Sequence, residues 1–154
     1  MNSIADFEDM LAFLSDHRVR YLIIGGLAFT FHAKPRYTKD MDLWVDGTKE
    51  NITRANHALA EFGSPVLLDF NNPTQVVQIG IAPNRIDIIV NVEFIKFKEA
   101  WKKRIKAPYG KSKAFWIDLE SLWRIKSAIK HPRHQDDARV LRRVLEGKNK
   151  KRKT

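Results

Sequence analysis

Three aspartates, at positions 40, 42 and 87, have the types and spacing to do chemistry. The first two close the stretch YLIIGGLAFTFHAKPRYTKDMDLWVD, residues 21–46, in which an apolar strand runs into Gly25-Gly26 and the segment ends with aspartates on alternate residues. Side chains alternate across a strand. Met41, Leu43 and Val45 therefore share one face, a core face, while Asp40, Asp42, Trp44 and Asp46 share the other. Carboxylates two positions apart on one face lie about 7 Å from each other. They repel, and each is pushed toward protonation unless a cation sits between them. Hard divalent ions such as Mg2+ or Mn2+ take oxygen ligands of this kind. In RIDIIVNV, residues 85–92, Asp87 is the only carboxylate within an apolar run. If its strand lies beside the first, Asp87 completes a three-carboxylate cluster, a fitting minimum for two metal ions about 4 Å apart, as in phosphoryl and nucleotidyl transfer.

The glycines supply the complement. A strand that turns through Gly25 and Gly26 into a helix exposes backbone N–H groups and the positive end of the helix dipole. Without side chains there, the phosphates of an NTP can approach closely. Arg36 and Lys39, beside the aspartates, add positive charge. Trp44 is placed to pack at the rim of the site or to stack on a base.

These residues need elements to hold them. Apolar positions Ile4, Phe7, Leu11 and Leu14 recur at helical spacing after Ser3, a plausible N-cap. Tyr21–Ile24 reads as a short buried strand, LAFTFHA as a helix closed by His32, and residues 41–45 as a second strand. A helix follows between Thr48 and Gly63. VVQIGIA and RIDIIVNV read as strands joined across Pro83-Asn84. FIKFKEAWKKR returns to helix, RIKAPYGKSKAFWI is a hairpin turning at YGKS, and two helices near Leu119–Lys130 and Asp136–Glu146 flank HPRH. The order predicts an α+β fold, a small mixed β-sheet with flanking helices. One domain over 1–147 is expected, with a core at about 4–100 and a C-terminal hairpin and helices at about 101–147, and then a basic, disordered tail over 148–154.

Composition narrows the classes. The chain has 154 residues and no cysteine, so disulfides and thiolate zinc sites are excluded. No stretch approaches the ~18 apolar residues that span a bilayer, and the N-terminus is no signal peptide. A cytoplasmic protein with no membrane partner is expected. Lys and Arg outnumber Asp and Glu by 28 to 18. The excess is concentrated in residues 96–113 and in KNKKRKT, which favours an anionic partner. No nucleophile elbow, Walker glycine loop or zinc spacing is present, and His131 and His134 flank a proline without ligand geometry.

Gly-Gly, a short helix, then R-x-T-x-D-x-D at Arg36, Thr38, Asp40 and Asp42 resembles the DNA polymerase β-like nucleotidyltransferase superfamily. The likeness is greatest to its small prokaryotic members, the minimal and abortive-infection toxin-type nucleotidyltransferases, and covers roughly residues 4–145. It implies that Gly25 and Gly26 hold nucleotide phosphates, with Arg36 and Thr38 beside them. Asp40 and Asp42 would bind metal, and Asp87 would complete the site and help deprotonate an attacking hydroxyl. DLESLWRIKSAIKHPRHQDDARVL is similar to the C-terminal helices of the toxin-like members, which puts Lys126, Arg133 and Asp136 near the site. Two positions depart from the pattern: Gly26 replaces a frequent serine, and Arg139 stands where an acidic residue is expected. The resemblance implies a Mg2+-dependent transfer of a nucleoside monophosphate from an NTP to a hydroxyl, with RNA, the end of a tRNA, a protein or a small molecule as acceptor. It also implies a possible cognate antitoxin or toxin partner. The alternatives are a binding module that holds RNA or a partner protein, and a nuclease using the same metals.

Overall fold

In the computed structural model, which describes residues 3–37, 40–81 and 84–153, six strands form one sheet in the order β3-β4-β2-β1-β6-β5. β1 (Tyr21–Ile24) and β2 (Asp40–Val45) run antiparallel, with Ile24 opposite Asp42. β4 (Asn84–Ile89) lies parallel to β2, and β3 (Val76–Ile81) covers its outer side antiparallel. The hairpin β5 (Ile105–Tyr109) and β6 (Ser112–Trp116) joins on the other side, β6 parallel to β1. The sheet is therefore mixed, as the element order predicts.

Period-two patterning gives it two covered faces. Met41, Leu43, Val45, Ile23, Ile86 and Ile88 pack under α1 (Ser3–Asp16) and α3 (Lys49–Phe62). Phe7, Leu11 and Leu14 of α1 are fully or almost fully buried there, as their helical spacing anticipates, and Met10 is buried with them. Thr48 caps α3 by accepting from the Asn51 amide, and Gly63 ends it in a left-handed turn at φ 96°. Buried Asn51 ties the start of α3 to the sheet, bonding both the N–H and the carbonyl of Arg20 and the carbonyl of Asp46.

The opposite face, with Leu22, Ile24 and Trp44, packs under α2 (Gly25–His32), α4 (Phe97–Lys102), α5 (Leu119–Ala128) and α6 (Pro132–Lys153). Its helices differ from the expected bounds for local reasons. α5 stops at Ala128 because the Gln135 side chain donates to the carbonyls of Ser127 and Ile129 and so replaces the next turn. α6 begins at Pro132, a favoured first helical position. It continues through Lys153, so residues 148–153 of the tail expected to be disordered are helical. That segment has no proline, and its cations suit a helix C-terminus.

Candidate active site

Asp40, Asp42 and Asp87 come together because β2 and β4 are neighbours in parallel register. Asp42 pairs with Asp87, and Asp40 pairs with Arg85. The three carboxylates thus occupy one end of the helix-covered face. Burial pushes the Asp42 carboxyl up to about 6, and the charges of Asp87 and Asp40 add to that. Asp40 Oδ1 is buried without a hydrogen-bond partner. Arg85 takes the place of a cation here. Its Nε and Nη2 grip Asp87 at 2.7 and 3.0 Å, and Nη2 lies 3.6 Å from Asp40. With Asp87 turned to Arg85, no set of three His, Asp or Glu side chains converges closely enough to hold one ion among the described residues.

Gly25 brings the start of α2 against this cluster. Its φ is +68°, a left-handed backbone that glycine adopts without strain, and a Cβ built there would overlap the Asp42 carboxylate. Gly26 follows in the first turn of α2, so N–H groups at the helix start lie beside the carboxylates. His32 closes α2 and bonds the Ile117 carbonyl at 2.6 Å, a structural anchor with its imidazole held toward the neutral form by burial.

A second charged group faces the aspartates from the helices. Lys126 of α5 is only 6% exposed, and Asp137 of α6 only 2%. Lys126 Nζ lies 3.1 Å from Asp137 and 3.2 Å from Nδ1 of His134. Arg36 forms a two-pronged ion pair with the same Asp137 and lies over the Phe29 ring, 4.0 Å from its centroid. Burial alone would raise the Asp137 carboxyl, but the bonds from Arg36 and Lys126 hold it below its ordinary value. Burial lowers the Lys126 ammonium, partly offset by Asp137. Arg36 and Lys126 are thus locked together on the helix side of the cluster, and Lys126 is near enough to Asp42 to favour its charge.

Three further positions complete the picture. The buried acid of α6 is Asp137, one residue beyond Asp136, which is exposed and paired with Arg139 on the same helix face. Arg133 is likewise exposed. Trp44 stacks on no open site: it is 1% exposed, and its indole N–H donates to the Val90 carbonyl. Thr38 and Lys39 lie outside the described residues. Asp137 escaped the sequence reading because HQDDAR offers two adjacent acids, and only the phase of α6 against α5 selects one.

Beside Gly25 and Lys126 opens a cleft of about 330 Å³ with apolar walls from Ile24, Ile89, Ile125 and Ile129. Phe94, 66% exposed and at φ +74°, stands at its lip on the loop after β4. The cleft has the size and mixed lining of a small-molecule site, with Gly25, which abuts Asp42, and buried Lys126 in its wall.

No family model matches the chain, and no curated protein matches it by sequence. Solved structures do. The lincosamide antibiotic adenylyltransferase LnuA, bound to lincomycin, superposes with a TM-score of 0.61 at 15% identity, over 93% of this chain and 99% of that one. ANT(2")-Ia, in complex with adenylyl-2"-tobramycin, gives 0.64 at 16% identity over 95% and 91%. A protein from Thermotoga maritima described as a nucleotidyltransferase gives 0.56 at 16% identity over 92% and 91%. The chain has the nucleotidyltransferase fold. The likeness spans nearly the whole of each partner, so sheet, hairpin and C-terminal helices all belong to that architecture.

Proposed function

We propose that this protein is a metal-dependent nucleotidyltransferase, which moves a nucleoside monophosphate from an NTP to an acceptor hydroxyl and releases pyrophosphate. The observation that carries the reading is the register of β2 against β4, which sets Asp42 beside Asp87 and next to the Gly25 turn. The donor set fits Mg2+ or Mn2+: all oxygen, with one buried carboxylate oxygen unpartnered and Asp42 disfavoured as an anion by its neighbours. Asp40, Asp42 and Asp87 would hold the metal, which when bound supplies charge neutralisation for the attacking and leaving oxygens. Arg85 would release Asp87 as the site loads.

The chain's own groups divide the remaining work. The backbone N–H groups at Gly25 and Gly26 receive phosphate oxygens. Arg36 and Lys126, held by Asp137, face the same charge from the helices, with Thr38 completing the motif beside Arg36. The cleft lined by Ile89 and Ile125 takes the nucleoside. The acceptor hydroxyl attacks the α-phosphorus, its proton passes to Asp87, and the bond to the bridging oxygen of pyrophosphate breaks. Structures of this fold hold small molecules, lincomycin in LnuA and adenylyl-2"-tobramycin in ANT(2")-Ia, while the basic segments of this chain favour RNA, including tRNA. A chain that consumes NTP belongs in the cytoplasm, and no described helix is long and apolar enough to cross a membrane.

The bond from Arg85 to Asp87 favours one second reading, a non-catalytic module whose carboxylates stay closed and which holds RNA or an antitoxin-like partner. Incubation with each α-labelled NTP, Mg2+ or Mn2+ and total cellular RNA separates the two. Transfer predicts label on RNA or protein, reduced roughly 10²–10³-fold in Asp42→Ala and Asp87→Ala, because several kcal/mol of charge stabilisation is lost. Label absent under every condition, with small hydroxyl acceptors also supplied and the chain shown to be folded, would favour the binding module instead.

A further inference from the structure

The net positive charge of this chain comes from two segments. Residues 102–113 and 142–153 hold 13 of the 28 Lys and Arg but one of the 18 Asp and Glu, which leaves 15 cations against 17 acids elsewhere. The segments are far apart in sequence, and the fold brings them to one edge. Ile105 at the start of β5 and Leu145, Lys148 and Asn149 of α6 line a single hollow of about 470 Å³. Lys103, just before β5, meets Glu120 of the same hollow at 3.3 Å. All basic residues of 102–113 and of 142–151 are exposed.

Strand register shows which end of the sheet this is. β1 ends at Ile24, opposite Asp42. β6 runs parallel beside β1, with Trp116 next to Ile23, and β5 starts with Ile105 opposite Trp116. Residues 102–106 therefore lie at the same end of the sheet as Asp42 and Asp87, three strand spacings or about 14 Å to one side of Asp42 and one spacing more from Asp87. Lys106 pairs with Phe115, whose alternation with Trp116 turns it to the face that carries Ile24 and Asp42.

We propose that this edge, from the C-terminal turns of α6 across the start of β5, is an RNA-docking surface that leads a strand toward the carboxylates. Lysines on an edge strand also guard it against unwanted pairing, which accounts for Lys106 on β5 but not for the cluster that α6 brings beside it. A lipid surface fits less well. The exposed large apolar side chains, Phe31, Phe94 and Ile129 among them, all lie outside both basic segments, so nothing is presented for insertion. Phosphates repeating along a strand match a run of cations without an apolar centre. Docking stands apart from chemistry; only the fate of the strand's terminal hydroxyl rests on the transfer reading.

The test is fluorescence anisotropy with a labelled RNA hairpin bearing a single-stranded 3′ end, at rising salt. Lys102→Glu with Lys106→Glu, and separately Lys148→Glu with Lys150→Glu, should each weaken binding roughly tenfold or more and flatten its salt dependence. Lys49→Glu with Arg54→Glu, on the distant α3, should leave it near that of the parent chain. Unchanged binding in both edge variants, an equal loss in the α3 control, or capture by phosphatidylserine vesicles but not by RNA would overturn the proposal. Label transfer to a small hydroxyl acceptor without RNA binding would remove the surface and leave the transferase. RNA binding lost in the edge variants, with no transfer from any NTP, would do the reverse.

Discussion

At the scale of single residues, an aspartate placed beside two others at the end of a buried strand opposes folding when it is ionised. The Asp42 carboxyl is raised to about 6 by burial and by its two neighbours. Between its ordinary value and about 6 the native state holds a proton that the unfolded chain has lost, so metal-free stability falls as pH rises through that window. Asp42→Asn removes the effect. Thermal melts in a chelator should place the variant above the parent chain at pH 8, by about 1–3 kcal/mol, with the gap closing near pH 4. Equal melting at both pH values would mean that Asp42 is not strained by its neighbours. These carboxylates were legible because alternate aspartates on an apolar strand have few structural uses. Arg85, two residues before Asp87, shares its strand face by alternation. That it bridges Asp87 and Asp40 depends on a strand pairing remote in sequence.

At the scale of elements, the link among Arg36, Lys126 and Asp137 fastens α5 and α6 to the segment that leads into β2. Asp137 is the only carboxylate in it, so Asp137→Ala leaves two cations unpaired, one of them deeply buried. Breaking a buried pair from one side costs about 3–5 kcal/mol. Denaturant titration of Asp137→Ala should show a loss of that order, and Asp136→Ala, an exposed site, a change within about 0.5 kcal/mol. The opposite ranking would restore Asp136 as the buried partner. Helices and strands themselves were largely readable. Thr48 and Gly63 bracket α3, and the Tyr-Gly-Lys-Ser turn sits between β5 and β6. Boundaries moved where a side chain from elsewhere intervened, as Gln135 does at the end of α5. Of the two roles open to Trp44, packing holds: α4 and the loop after β4 cover it one residue pair beyond the aspartates on its face.

At the scale of the whole molecule, what the chain could not spell out was adjacency. Asp87 joined the cluster only on the condition that its strand lay beside β2, and that condition is met by a parallel pairing across 45 residues of sequence. The placement of β6 against β1, which carries the basic hairpin to the end of the sheet where the aspartates lie, had no local signal. The fold class was legible because the element order and the two hydrophobic periods agree with one another. The charge excess was legible as composition, and its confinement to one edge was not.

The central claim is that Asp40, Asp42 and Asp87 form a metal site for nucleotidyl transfer. Electron paramagnetic resonance titration of Mn2+ into the chain, with a non-hydrolysable NTP analogue present, tests it most directly. Two bound Mn2+ per chain, spin-coupled to each other and lost in Asp42→Ala, is the predicted result. Manganese that stays free, or that binds equally well to the Asp42→Ala and Asp87→Ala variants, would contradict it.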